Sequence, residues 1–275
     1  MDDWMQTSIE VLSQASFKSV LGRPGEGQMA LTLLCLIDWP DGIQRQSYVK
    51  IFAQNESIGV FNEVLGYLLT KSHDLPVSPK AGILILPEGI VNGIFNNMGQ
   101  SVAPIAFVTS KVAGSSPSSY LNIGNMLQFE SLKRILDGWD KLHKTIAFDE
   151  WVANQDRNLG NLIIDSNSQV TLIDHSNMPV DLVWTPDDLS IDLQPVNKLE
   201  MALRSTPTLP QKMDIVNGAS GQVEALGVVT DEVIYWCDKL LSQSAKDSLL
   251  LFLTKRAVVS KARLSKRLGV LAGVA

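Results

Sequence analysis

The hydrophobic period of this chain changes part-way along its length, and that change limits the folds open to it. Up to about residue 113 the apolar residues sit in short β-rich runs, Leu31–Ile37, Ser47–Phe52, Ile83–Leu86 and Pro104–Thr109. The turn signal Pro40-Asp41-Gly42 joins the first two runs into a hairpin. Between them and the third run, Val60, Phe61, Val64, Leu65, Leu68 and Leu69 fall at helical spacing, which predicts one amphipathic helix over Ile58–Leu69, ended by Leu75-Pro-Val-Ser-Pro79. Beyond Gly114-Ser-Ser-Pro-Ser-Ser119 the period becomes 3.6: Leu132, Ile135, Leu136, Trp139, Leu142 and Ile146 follow it, and Phe148, Trp151 and Val152 continue it as one helical run. Two short β-rich runs, Leu162–Ile164 and Val170–Ile173, flank the turn composition Asp165-Ser-Asn-Ser-Gln169 and predict a small hairpin embedded in helix. The stretch 193–221 carries no assignable pattern, and Glu232–Leu271 reads as helical again. The expectation is an α+β chain of two lobes, β-rich over residues 1–113 and mainly helical over 114–275, with the 114–119 loop as the hinge.

Composition narrows the function classes. With 275 residues, 45% of them hydrophobic and 19% charged, the chain can bury a sizeable core, which excludes disorder as its main state. An acidic start, Met-Asp-Asp-Trp, and the lack of an apolar run of about 20 residues point to a cytoplasmic protein without a membrane span. Cys35 and Cys237 form no CxxC pair and read as core residues. The three histidines, His73 in a loop, His143 on a polar helix face and His175 beside Asp174, are scattered without HExxH, and Ser115–Ser119 form no GxSxG elbow. Zinc hydrolysis and serine-hydrolase chemistry are therefore set aside. The net charge of −6 argues against general nucleic-acid binding. Lys255, Arg256, Lys261, Arg263, Lys266 and Arg267, with no acid among them, leave −12 on the rest of the chain. They predict a basic C-terminal helix whose solvated face complements an acidic body, the alternative being contact with RNA or another nucleic acid, an anionic membrane surface or a protein partner.

The chemistry concentrates between Val152 and Ser176. Asp156, Asn161 and Asp174 occur there in the order and spacing of a phosphotransferase site. An Asp-x4-Asn loop can offer a carboxylate to an attacking hydroxyl and, a turn later, an amide oxygen to a metal, while Asp174 supplies the hard anionic oxygen that Mg²⁺ prefers. Asp and Asn are also the commonest turn residues, so the argument rests on the set and not on any one member. Upstream, Lys50 interrupts a β-rich strand in Tyr-Val-Lys-Ile-Phe and Glu63 follows on the helix, the pairing by which a lysine is aimed at the phosphates of ATP. Gly22, Gly25 and Gly27 form a glycine-rich connection able to approach a ligand closely. The backbone from Phe107 and Val108 to Ser110 is the expected contact for the adenine.

In Tyr48-Val-Lys-Ile-Phe52, Asn62-Glu63 with Leu75-Pro-Val-Ser-Pro79, Phe148-Asp-Glu-Trp-Val-Ala-Asn-Gln-Asp-Arg-Asn-Leu-Gly-Asn161 and Leu172-Ile-Asp-His175, the chain resembles the HipA-like kinases, an atypical branch of the protein-kinase-like fold. The resemblance covers roughly Ser16–His175. It implies a two-lobed kinase in which Lys50 and Glu63 anchor ATP, Asp156 is the catalytic base and Asn161 and Asp174 bind Mg²⁺, with a protein Ser/Thr acceptor. Asn158 stands where related loops commonly carry histidine, and Gly22–Gln28 holds no serine for loop autophosphorylation. A small-molecule kinase would use a similar residue set, and a nucleotide-binding scaffold or inhibitor acting through a partner is the reading from another class.

Overall fold

A computed structural model describes residues 7–24, 30–120 and 126–271. In chain order the elements are β1 (Ile9–Leu12), β2 (Phe17–Gly22), β3 (Leu31–Asp38), β4 (Gln44–Ile51), α1 (Ile58–Ser72), β5 (Ala81–Ile85), α2 (Glu88–Met98) and β6 (Ile105–Ser110). There follow α3 (Met126–Asp137), α4 (Leu142–Trp151), β7 (Leu162–Ile164), β8 (Val170–Leu172), α5 (Lys198–Ala202), α6 (Leu209–Gly218), α7 (Gln222–Leu240) and α8 (Gln243–Leu268).

The Pro40-Asp41-Gly42 turn closes the β3–β4 hairpin: the Gly42 amide donates to Trp39 O at 2.9 Å and the Ile43 amide to Asp41 Oδ1 at 3.1 Å. Leu31 lies opposite Ile51 and Asp38 opposite Gln44, so the register runs unbroken over eight pairs. The hairpin sits in a six-stranded sheet of order β1-β5-β6-β4-β3-β2, antiparallel except for the β1–β5 pair. Strand alternation sends Leu33, Cys35, Ile37, Val49, Ile51 and Val108 to one face, where they bury against one another and Ile94 of α2. Lys50, Phe107 and Ile83 point to the other face, toward α1.

Twelve of the fifteen residues of α1 are buried, so it is not the amphipathic surface helix expected from its spacing. It runs between the sheet and α7, and its apolar residues join a core that continues through α4, α7 and α8. A helix enclosed on all sides has no solvent for its polar groups, so Asn62 and Glu63 must find partners inside the protein.

The helical half departs from the sequence reading at two breaks. The run Leu132–Val152 is two helices, because Gly138 and Asp140 open a turn in which the Trp139 amide donates to Leu136 O and the Leu142 amide to Trp139 O. The run Glu232–Leu271 is the end of α7 and the whole of α8, separated at Ser242, whose side chain accepts from the Ala245 amide as an N-cap. The 193–221 stretch holds α5 and α6, the latter opened by a Thr208–Gln211 capping box. The β7–β8 hairpin forms as expected, with Leu162 opposite Leu172.

The expected hinge at 114–119 is pinned. Ser115 and Ile164 exchange both backbone hydrogen bonds, at 3.1 and 3.0 Å, tying the connection to β7. Gly114 has φ +113, and a Cβ there would lie 2.4 Å from Ile164 O, so only glycine fits this crossing.

Candidate functional site

Three elements distant in sequence meet at Lys50. From β4 its Nζ lies 2.5 Å from Glu63 Oε1 on α1 and 2.8 Å from Asp174 Oδ1, two residues past β8. Burial alone would lower the Lys50 pKa, but the adjoining carboxylates of Asp174 and Glu63 outweigh it and hold the ammonium charged. Burial raises the Glu63 pKa, with the nearby Asp174 charge adding to the rise and Lys50 opposing it. Asp174 goes the other way: burial works against its charge, yet Lys50 and the hydroxyl of Ser176 hold its carboxyl well below the usual range. The ionised Asp174 carboxylate is the member of this cluster that reaches solvent, with a side chain 38% exposed.

The Asp174 backbone is left-handed, at φ +59, a conformation costing a non-glycine residue about 1–2 kcal/mol. Its neighbours hold it there. The His175 amide donates to Glu63 Oε2 at 3.1 Å and the Asn62 side chain donates to Ser176 O and Leu182 O, so α1 grips the turn that presents Asp174. Gly66 allows this approach, because a Cβ there would lie 2.1 Å from the His175 Cβ.

The loop after α4 presents Asp156 and Asn161 side by side. The Asn161 amide nitrogen donates to Asp156 O at 2.6 Å, which leaves Oδ1 as its free hard oxygen. The Ile173 amide donates to Asn161 O at 3.1 Å, bringing Asn161 next to the residue preceding Asp174. Among the described residues no group of three or more His, Cys, Asp or Glu side chains is placed to hold a metal. The donors present are one amide oxygen and one ionised carboxylate, which fits Mg²⁺ carried with its phosphates and waters and not a fully enclosed cation.

Beneath the loop lies a buried frame that the sequence reading missed. The Arg157 side chain is 0% exposed and donates to Ile173 O at 2.9 Å, with Asp149 Oδ1 at 3.4 Å and His175 Nδ1 at 3.2 Å from its nitrogens. Asn154 bridges Asp149 Oδ1 and the Asp156 amide. Burial raises the Asp149 pKa to about 6, against the pull of Arg157 and Asn154. Burial, and then the Arg157 charge, keep His175 neutral, with its Nδ1 against the Arg157 guanidinium. The available signal was Asp149-Glu150 inside the apolar run Ile146–Val152: charges there must be buried and paired.

Asp156 is itself occupied. Lys198 Nζ, at the first position of α5, lies 2.6 Å from Oδ1, and Asn177 Nδ2 donates to Oδ2 at 3.0 Å. Neither partner carries a spacing signal, since both come from irregular sequence.

Other expectations move. Phe107 and Val108 cannot offer free backbone to an adenine, because Phe107 is paired with Lys50 and Ile83, and Val108 with Val49 and Gly82. The ladder contacts extend to Lys111, whose amide donates to Gln46 O at 2.8 Å, so Val112–Gly114 is the first chain free of the sheet. The Phe107 ring is instead a buried wall on the Lys50 face. Gly22 ends β2, while Gly25 and Gly27 lie outside the described residues. His73 is no loop residue: it caps α1, is buried between Phe148 and Trp151, and bonds Gly218 O. The basic tail is half internal. Arg256 is 0% exposed and donates to carbonyls of Glu150, Trp151, Ile191 and Leu193, while Arg263 reaches Ile191 and Leu193, and Arg267 pairs with Glu200. Lys255, Lys261 and Lys266 remain exposed.

No family model matches the chain, and no curated protein matches it significantly. Among the described residues no helix is long and apolar enough to cross a membrane.

Proposed function

We propose that this chain is an ATP- and Mg²⁺-dependent phosphotransferase of the HipA-like kind, acting on a protein Ser/Thr hydroxyl. The observation that carries the reading is the Lys50 ammonium bridging Glu63 and Asp174 while Asp156 and Asn161 stand on the adjoining loop. A structural Lys50–Glu63 ion pair has no need of Asp174, Asp156 and Asn161. In this reading Lys50 grips the nucleotide phosphates and Glu63 keeps it aimed. Mg²⁺ held by Asn161 and Asp174 supplies charge neutralisation to the phosphates when bound. Asp156 accepts the proton of the acceptor hydroxyl as the new oxygen–phosphorus bond forms and the bond to the departing ADP oxygen breaks.

A protein acceptor is favoured over a small molecule because Asp156 opens onto surface. Its side chain is 28% exposed, and exposed Val196 and Met201 flank Lys198 along the chain. A small acceptor would gain most from an enclosed pocket.

Calorimetric titration of ATP with and without Mg²⁺ tests the nucleotide site. The native protein is expected to bind Mg·ATP, Asp174→Ala to lose the Mg²⁺ dependence, and Lys50→Met to bind at least roughly tenfold more weakly. A native protein that ignores nucleotide under all these conditions contradicts the proposal.

A further inference from the structure

Lys198 is held in a way that an incidental surface ion pair does not require. Its backbone is anchored by three neighbours: Asn197 is buried, accepts from the Glu200 amide and donates to Ile146 O, Leu199 is buried, and Glu200 is paired with Arg267 of α8 at 2.7 Å. From this anchored turn Lys198 reaches across to the catalytic loop, with a side chain 46% exposed and its ammonium on Asp156. The result is a partly exposed cation on a fixed backbone.

The charge of the carboxylate it touches is partly neutralised while it stays there. Lys198 occupies Oδ1 and Asn177 occupies Oδ2, the two oxygens through which Asp156 would receive a hydroxyl proton. An acceptor oxygen bonded to Asp156 at roughly 2.6–3.2 Å sits within about 3–3.5 Å of the phosphorus it attacks. An ammonium in contact with Oδ1 is therefore within one side-chain rotation of the oxygens of that phosphoryl group.

We propose that Lys198 is a second phosphate-binding lysine, which leaves Asp156 for the γ-phosphate of bound ATP and thereby both frees the base and neutralises the group being transferred. The inference rests on the phosphotransferase reading and adds a residue to it. Lys50 reaches the nucleotide from the sheet; Lys198 reaches it from the acceptor side. Because ADP lacks the γ-phosphate, the two lysines have different signatures.

The test compares Mg·ATP and Mg·ADP affinities by calorimetry in the native protein, Lys198→Met and Lys198→Arg, with thermal melts to show that each is folded. Loss of a charge-assisted contact to the γ-phosphate weakens ATP roughly tenfold or more. The expected result is that Lys198→Met loses that factor for ATP and keeps its ADP affinity, and that Lys198→Arg recovers part of the difference. An unchanged ratio of ATP to ADP affinity in a folded Lys198→Met overturns the inference and leaves the phosphotransferase reading standing. Absence of nucleotide binding by the native protein overturns both.

Discussion

Gly66→Ala joins packing to function at one atom. In an ordinary helix the change is favourable by about 1 kcal/mol, because alanine loses less backbone freedom on folding. Here the new Cβ would lie 2.1 Å from the His175 Cβ and 2.6 Å from its Cγ. Neither is the free end of a flexible chain: the His175 amide is bonded to Glu63 and its ring to Arg157. Relief requires α1 and the Asp174–Ser176 turn to separate by about an ångström, an overpacking cost of about 1–3 kcal/mol or more. The net expectation is a destabilisation of about 2 kcal/mol, equivalent to a fall in Tm of roughly 4–8 °C for a chain of this size. The same movement draws Glu63 from Asp174, so Mg·ATP affinity should fall as well. Gly227→Ala is the control, since it lies in α7 with nothing within 4 Å of the added Cβ, and it should raise stability by up to about 1 kcal/mol. Differential scanning calorimetry and nucleotide titration read both variants. A Gly66→Ala protein as stable as the native one, with unchanged nucleotide affinity, refutes the reasoning.

Histidine 73, 3% exposed, has its pKa lowered from 6.5 to about 4 by burial and by the Lys144 charge. Between those values the unfolded chain binds the extra proton, so this residue's contribution is complete above about pH 6.5 and is lost as pH falls toward 4. Urea unfolding should therefore show the native protein losing about 2 kcal/mol more than His73→Phe between pH 7 and pH 5; parallel losses would argue against it. Glu63→Gln keeps the shape of the helix but frees Lys50 to pair with Asp174 alone, so phosphoryl transfer should fall on the order of 100-fold while the melt stays near native. Arg256→Ala takes the donor from the buried Glu150 and Trp151 carbonyls, while Ile191 O and Leu193 O keep Arg263, and should cost about 3 kcal/mol, whereas Lys255→Ala and Lys261→Ala should stay within about 0.5 kcal/mol. Equal stability of these three variants in chemical denaturation would return the basic helix to solvent.

What could be read from the residues was what lies close together in the chain. The β3–β4 hairpin follows from alternation and a turn triplet, and the Asp156, Asn161 and Asp174 set follows from spacing on one loop and one hairpin. Lys50 and Glu63 were legible as charges in apolar runs, a cost no sequence bears without a partner. Lys198 and Asn177 were not, because their place beside Asp156 comes from an irregular path after β8 and a five-residue helix too short to show a period. The two helix breaks were hidden by apolar residues that keep 3.6 spacing across Gly138 and Ser242. The arginines of α8 misled for a related reason: composition counts their charge, while only packing reveals that Arg256 is spent on backbone carbonyls inside the protein.

The most direct measurement is transfer of the labelled γ-phosphate from Mg·ATP, with and without added cell protein, by the native chain, Asp156→Ala and Asp174→Ala. The site described here requires label on protein from the native chain alone, with Asp156→Ala still binding nucleotide and Asp174→Ala losing Mg²⁺-dependent binding. Transfer by Asp156→Ala at the native rate, or none by a native chain saturated with Mg·ATP and offered protein acceptors, would contradict it.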